Sequence, residues 1–275
     1  VDLEKSLGSG TVIFAGSVDL PAICKAEVTA LPVDPLCSGK TDGQKQIRTY
    51  VLTAWHVLEK AFFPPPPKKD AGKKEEKKSG IQLMVDGAPM PVPRKEPYGP
   101  PRPVPEKPVM VTVPPQIQII ARTASSTGAM DIDFAKHSAA MVAYDAKRDL
   151  ALLRVTDGFL MPYVATLAPR DVQLQPFRRV WAVGSPLGFG PEATEGILSG
   201  THEKLNKQTF FLSSAPIFMG NSGGGLFQWS RERQHFELIA VNDAIGGAIT
   251  HITLSVPIVD IHDFLKERGF DFILK

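Results

Sequence analysis

Gly220-Asn221-Ser222-Gly223-Gly224 places a serine among residues that let the backbone turn tightly. Glycine opens backbone angles closed to other residues, so such a loop can aim successive N–H groups into one hole. A hole of that kind holds the oxyanion formed when a serine attacks a carbonyl. The hydroxyl needs a base to take its proton, and the base needs a carboxylate to fix its tautomer. Two further segments supply both. Thr53-Ala54-Trp55-His56-Val57 follows the apolar run Tyr50-Val51-Leu52, and Asp149 opens the run Leu150-Ala151-Leu152-Leu153. Together they predict acyl transfer, with Ser222 as nucleophile, His56 as base and Asp149 as the acid that orients it. Alone, the glycine-rich segment also reads as a plain turn. Asp145 and Asp157 are weaker candidates for the acid. The remaining histidines, His137, His202, His235, His251 and His262, read as surface or structural residues.

The order His56, Asp149, Ser222 is that of the chymotrypsin fold. Val51 to Val57 resembles the histidine motif of trypsin-like serine proteases. Tyr144 to Val155 (YDAKRDLALLRV) resembles the aspartate motif of their HtrA/DegP-like branch. Val180 to Gly200 (VWAVGSPLGFGPEATEGILSG), Ala215 to Leu226 (APIFMGNSGGGL) and Ser255 to Gly269 (SVPIVDIHDFLKERG) are similar to that branch's glycine-rich strand pair, nucleophile loop, and closing strand with terminal helix. The blocks touch most of the chain outside residues 59–137.

The resemblance implies an all-β fold: two six-stranded antiparallel barrels with the active-site cleft between them and a short C-terminal helix. It implies one protease domain over residues 1–275; PDZ modules commonly trail this family, and the chain either lacks them or has been truncated. The N-terminal barrel covers about 1–155, the C-terminal barrel about 175–257, and the helix 258–268. It also implies an oxyanion hole from backbone N–H groups of the Gly220, Asn221 and Ser222 stretch, Gly220 and Ser222 foremost. The specificity pocket falls near Ala215, Pro216 and Ile217. With no carboxylate there, cleavage after small or medium aliphatic residues is expected rather than after Lys or Arg. Val241, Asn242 and Asp243 resemble the strand that pairs with substrate, and Asp243 is weighed as a selector of basic residues farther along. The implied function is a serine endopeptidase acting on polypeptides, in protein quality control or processing.

The chain departs from the family pattern in places. Asn221 stands where secreted trypsins carry the acid that pairs with a new N-terminus, so trimming residues 1–9 is expected to leave rates within an order of magnitude. Trp55 is expected to roof the cleft. Phe218-Met219 and Gly225 flank the oxyanion loop where a polar-plus-proline pair and a proline are usual, which makes a misaligned resting hole an expectation.

Composition bounds the alternatives. The chain has 275 residues, 43% of them hydrophobic, enough for one large all-β domain or two small ones. A net charge of +2 argues against a nucleic-acid or membrane partner. No apolar run reaches spanning length, and no signal-peptide pattern opens the chain at Val1. Cys24 and Cys37 either close a loop as a disulfide, in an oxidising compartment, or remain free thiols. Family members in the periplasm carry such a pair near the N-terminus, which favours the disulfide and an extracytoplasmic location. No cofactor and no metal site are expected.

Short apolar strands set between Gly and Pro turns signal all-β structure. Gly10–Phe14, Gln46–Thr53, Val109–Val113, Gln116–Ala121 and Ser138–Tyr144 read as strands, as do 150–155, 179–184, 195–200, 208–214, 225–229, 236–242 and 249–256. Residues 15–46 read as loop, and 122–137 as an irregular insertion. Residues 61–108 form a proline- and lysine-rich insertion, with a short strand at Ile81–Gly87. Its proline runs favour polyproline II or disorder, and it serves either as a docking arm for a protein partner or as a solvated loop. Trimers are frequent in the family.

Two rivals remain. The stretch Gly220–Gly224 also satisfies the G-x-S-x-G elbow of an α/β-hydrolase, but that needs a strand before the serine and a helix after it, with the acid and histidine downstream, whereas Gly224-Gly225-Leu226-Phe227-Gln228-Trp229 reads as a glycine turn and a strand. The other is a catalytically silent protease fold acting as a binding or structural protein through the proline-rich insertion.

Overall fold

The computed structural model describes residues 8–27, 34–62, 117–124, 132–189, 191–205, 207–245 and 252–275. The proline-rich insertion from residue 63, the strands expected at Ile81–Gly87 and Val109–Val113, and His251 lie outside them.

The first lobe is an antiparallel sheet of five described strands. These are β1 (Thr11–Asp19), β2 (Lys45–Ala54), β3 (Ile117–Ala124), β4 (Ile132–Asp145) and β5 (Leu150–Val155), in the order β1-β2-β5-β4-β3. β2 and β5 lie at its centre and are buried on both faces over Tyr50–Ala54 and Leu150–Val155, which is why they read as unbroken apolar runs. Alternate residues serve different cores, as the two-residue period of a strand requires. Tyr50, Leu52, Leu150 and Leu152 join a core that continues into the second lobe. Val51, Ala151, Leu153 and Val155 pack with Trp55 and Met141 on the other side.

The second lobe is a closed barrel of β6 (Arg179–Gly184), β7 (Glu192–Leu205), β8 (Gln208–Ser213), β9 (Gly225–Ser230), β10 (His235–Ile245) and β11 (Thr253–Pro257), ordered β10-β11-β8-β7-β6-β9. Helix α3 (Ile258–Glu267) follows β11. It buries Ile258, Ile261, Phe264 and Leu265 on one face, and Gly269 at φ 81° ends it. Phe270, just beyond, meets the Tyr50 ring edge-on at 5.5 Å, tying the C-terminal segment to the first lobe.

Residues 15–46 are more ordered than their loop-like composition suggests. β1 continues to Asp19, and helix α1 (Leu20–Ala26) follows with Pro21 in its first turn. Leu20, Ile23 and Ala26 recur at helical spacing and are buried. Cys24 on α1 and Cys37 form a disulfide with Cα atoms 5.4 Å apart. Between them Asp34 accepts from Arg48 at 2.5 Å and pairs with Arg154. Arg154 also lies 3.2 Å from Glu27, which accepts from the Tyr50 hydroxyl at 2.7 Å. Burial pushes the Glu27 carboxyl up, against the lowering pull of Arg154 and Tyr50. This network explains a charged residue inside β5: Arg154 is buried because two carboxylates meet it.

The stretch 122–137 is also not an irregular insertion where it is described. β3 runs to Ala124 and pairs residue by residue with β4 from Ile132 to Ala139. Cross-strand pairing outweighs the weak local strand signal there.

Candidate active site

Helix α2 (His56–Phe62) begins at His56 itself, immediately after the last residue pairs of β2. Asp149 ends the turn that leads into β5. That turn is built by Asp145, whose Oδ1 accepts the N–H groups of Lys147 (2.9 Å) and Arg148 (3.1 Å). Asp149 sits at φ 55°, a left-handed conformation that Asp tolerates better than most residues. The two segments then lock together at three points. The Trp55 N–H donates to the Asp149 carbonyl (3.1 Å), the His56 N–H to Asp149 Oδ1 (2.7 Å), and His56 Nδ1 lies 2.6 Å from Asp149 Oδ2. The carboxylate thereby fixes the ring's orientation and the tautomer with its proton on Nδ1. This hydrogen bond raises the His56 pKa above its ordinary value. Burial opposes the rise, and the charges of Asp149, Asp243 and Glu59 add to it.

Trp55 does not roof the cleft. It is 4% exposed and stacks on Tyr144 with ring centroids 4.3 Å apart, a core contact that steadies the base of the His56 segment.

Ser222 comes from the second lobe, on the loop before β9. The Ser222 carbonyl accepts from Ser9 N–H (2.7 Å), and Ser9 Oγ donates to the Gly220 carbonyl (2.6 Å) while accepting from Ser185 N–H (2.7 Å). The Ser9 carbonyl in turn accepts from Thr53 Oγ1 at 2.6 Å. Ser9 thus joins the histidine strand to the serine loop. Nothing in its sequence surroundings announced this role. At Gly223, φ is 87°, and a Cβ would stand 2.2 Å from both Ser9 O and Thr53 Oγ1, so only glycine fits where the lobes meet. Gly220 has φ 98° and its own close approach to Ser185 O, while the Met219 carbonyl is held by Leu187 N–H at 2.7 Å.

His56, Asp149 and Ser222 open onto one cavity of about 580 Å³, with Ala146, Ile217, Phe218, Met219 and Asp243. The Ser222 hydroxyl donates to the Asp243 carbonyl at 2.8 Å. Of the oxyanion stretch, Asn221 is withdrawn: its N–H donates to the Phe218 carbonyl (3.0 Å) and closes the turn. Among the described residues, no backbone acceptor takes the N–H of Gly220 or Ser222.

The substrate-binding expectations divide. Ile217 lines the cavity. Ala215 is wholly buried and its carbonyl accepts from Thr253 Oγ1 (2.7 Å), so it belongs to the barrel wall. Pro216 is exposed, but its carbonyl is tied to Thr194 Oγ1 (2.6 Å), and it does not line the cavity. Val241 and Asn242 are interior strand residues. Val241 pairs with Gly225 and Val256, and Asn242 pairs with Ser255 and exchanges backbone hydrogen bonds with Gly223 and Gly224. Their backbones offer no free edge for a substrate strand. Asp243 turns its carboxylate toward His56, 3.7 Å from Nδ1, rather than outward toward distant substrate residues. The cavity's most exposed walls, Phe218 and Met219, were not expected as lining. The signal was present in two large apolar residues placed just before the glycine turn. His137 pairs with Asp157 (2.8 Å) and stacks on Phe159, away from the cavity, and His262 bonds the Ala168 carbonyl.

A sheet of five described strands and a closed six-stranded barrel, contributing His56 and Asp149 from one and Ser222 from the other, define the trypsin-like class of fold. The family model described as trypsin-like peptidase domain matches residues 38–233, and the chain belongs to that family. It is 30% identical over 146 residues to a probable periplasmic serine endoprotease, DegP-like, of Pseudomonas fluorescens, covering 50% of this chain and 29% of that protein. A protein of the same description from Buchnera aphidicola is 32% identical over 131 residues, 45% of this chain and 26% of the relative. The matches therefore span less than a third of either relative. Among solved structures, the HtrA-type protease AlgW with tripeptide is 20% identical with a TM-score of 0.47, covering 82% of this chain and 57% of that one. The serine endoprotease from Yersinia pestis gives 18% and 0.45, over 84% and 59%. No described helix is long and apolar enough to cross a membrane.

Proposed function

We propose that this chain is a serine endopeptidase acting through Ser222, His56 and Asp149. The observation that carries the reading is the three-point lock between the His56 and Asp149 segments, facing the cavity that Ser222 shares. In the first step Ser222 Oγ bonds to the carbonyl carbon of the substrate, its proton passes to His56 Nε2, and the carbonyl electrons move to oxygen. The N–H groups of Gly220 and Ser222 stabilise that oxyanion. The tetrahedral species collapses, the C–N bond breaks, and the leaving amine takes the proton from His56. Water then repeats the sequence and releases the acid. Asp149 stabilises the imidazolium that forms.

Ile217, Phe218 and Met219 give the cavity an apolar wall, which supports cleavage after small or medium aliphatic residues. The Cys24–Cys37 disulfide and the periplasmic descriptions of the relatives support an extracytoplasmic location. A role in quality control or processing rests on that likeness alone. The test is digestion of an unfolded polypeptide with mass-spectrometric mapping of the cuts. Cuts after Val, Ala, Ile or similar residues that vanish in Ser222→Ala support the proposal. An undigested substrate across pH 6 to 9 contradicts it.

A further inference from the structure

Asp243 touches every member of the proposed triad. Its carbonyl accepts the Ser222 hydroxyl at 2.8 Å. Its Oδ1 lies 3.7 Å from His56 Nδ1, and its carboxyl group lies close to that of Asp149. One ring nitrogen of His56 and one carboxylate oxygen from each of Asp149 and Asp243 lie within 4.8 Å of one another. The backbone explains how a strand residue reaches this position. The pairing of β10 with β11 slips between Asn242 and Ala244, so Asp243 has no register partner and bulges out of the ladder. Bulges commonly re-aim a side chain at a site.

Two carboxylates at this range repel unless a proton lies between them. The Asp243 side chain is only 15% exposed, and water does little to screen it. We infer that Asp243 is a positioning residue that shares one proton with Asp149 and thereby controls whether His56 can act as a base. This rests on the triad reading above. With the proton on Asp243, its O–H donates to the Asp149 carboxylate, His56 stays neutral, and Nε2 is free to accept from Ser222. When that proton leaves Asp243, two negative charges face one imidazole, and His56 keeps its own proton more tightly. The groups facing Asp243 are His56 from α2, Asp149 from the turn before β5, and Ser222 from the loop before β9. Glu59, also on α2, acts on the His56 charge. Burial, then the Asp149 charge and hydrogen bond, push the Asp243 carboxyl up to about 7, with His56 pulling the other way. His56 is raised from its ordinary value by the same neighbours, so the protonation of one group bears on that of the other.

The direct test is an NMR titration of the His56 imidazole and the Asp243 carboxyl in the intact chain, beside Asp243→Asn. The readout needs no turnover, so it separates this inference from the proposed activity. The expected parent curve for His56 has two steps, one coinciding with the Asp243 carbon signal. In Asp243→Asn the amide still donates to Asp149 but cannot ionise, and one step at lower pH is expected. A His56 midpoint one unit lower would raise kcat/KM at acidic pH about tenfold. Asp243→Ala, lacking the donor, should lower kcat with little change in KM. If the Asn variant does not fold, the parent titration decides alone, because coupled steps on both residues are required. A single His56 step in the parent, or one unmoved by Asp243→Asn, overturns the inference.

Discussion

The two lobes hold their shares of the site in different ways. The first lobe fixes the Trp55–His56 segment to Asp149 through three hydrogen bonds where β2 ends and β5 begins, with Trp55 stacked on Tyr144. The second lobe presents Ser222 on a glycine loop whose shape depends on neighbours, chiefly Ser9, Thr53 and Asn242. His56 is held by its own lobe, whereas the Ser222 loop is held both by its own barrel and by contacts across the interface. In the structure the Ser222 hydroxyl donates to the Asp243 carbonyl, so the second half rests with its proton directed at the backbone. Damage to the first half should therefore show as lost chemistry on an intact fold, and damage to the second as combined loss of chemistry and stability.

The largest expected effect is on the chemistry of the first half. Asp149→Asn keeps most of the side-chain shape but loses the tautomer control, and a fall of about 10⁴-fold in kcat is expected. Steady-state kinetics with an unchanged melting temperature would sharpen the contrast. Gly223→Ala attacks the second half. A methyl group 2.2 Å from Ser9 O and Thr53 Oγ1, at φ 87°, forces the lobes apart. A loss on the order of 3 kcal/mol is expected by chemical denaturation, together with lost activity. Asp34→Ala should destabilise by a comparable amount, because Arg154 and Arg48 lose a buried carboxylate. It leaves the catalytic groups in place, so the surviving fold should keep its activity. Ser9→Ala should cost about 1 kcal/mol for its hydrogen bonds and lower kcat moderately. The smallest effect is for Met219→Ala, at a side chain 75% exposed: stability within about 0.5 kcal/mol and a change mainly in KM.

The pH dependence has a defined sign. In the proposed mechanism His56 must be neutral to accept the Ser222 proton, and its hydrogen bond to Asp149 favours the charged form. kcat/KM should therefore fall, on the acid side, with a midpoint above the ordinary histidine value of about 6.5.

The grouping of His56, Asp149 and Ser222 at one cavity was legible in the sequence because each sits beside a strong local pattern: an apolar strand before His56, another after Asp149, and glycines around Ser222. The second barrel was legible for the same reason. What stayed hidden depended on long-range contacts. Ser9 lies 213 positions from Ser222, and no local pattern marks it. The approach of Asp243 to His56 was hidden because a strand signal does not reveal a bulge. Val241 and Asn242 share that strand, but both of its edges are paired inside the closed barrel. Helix α1 was missed because seven residues with a proline and a cysteine carry a weak helical period, and burial of Leu20 and Ile23 decides the outcome.

The central claim is that Ser222 is an activated nucleophile within an assembled site. Its most direct test is the intact mass of the chain after exposure to a fluorophosphonate, beside Ser222→Ala. The account predicts a single adduct on the parent and none on the variant. No adduct on the parent, or an equal adduct on both, would contradict it.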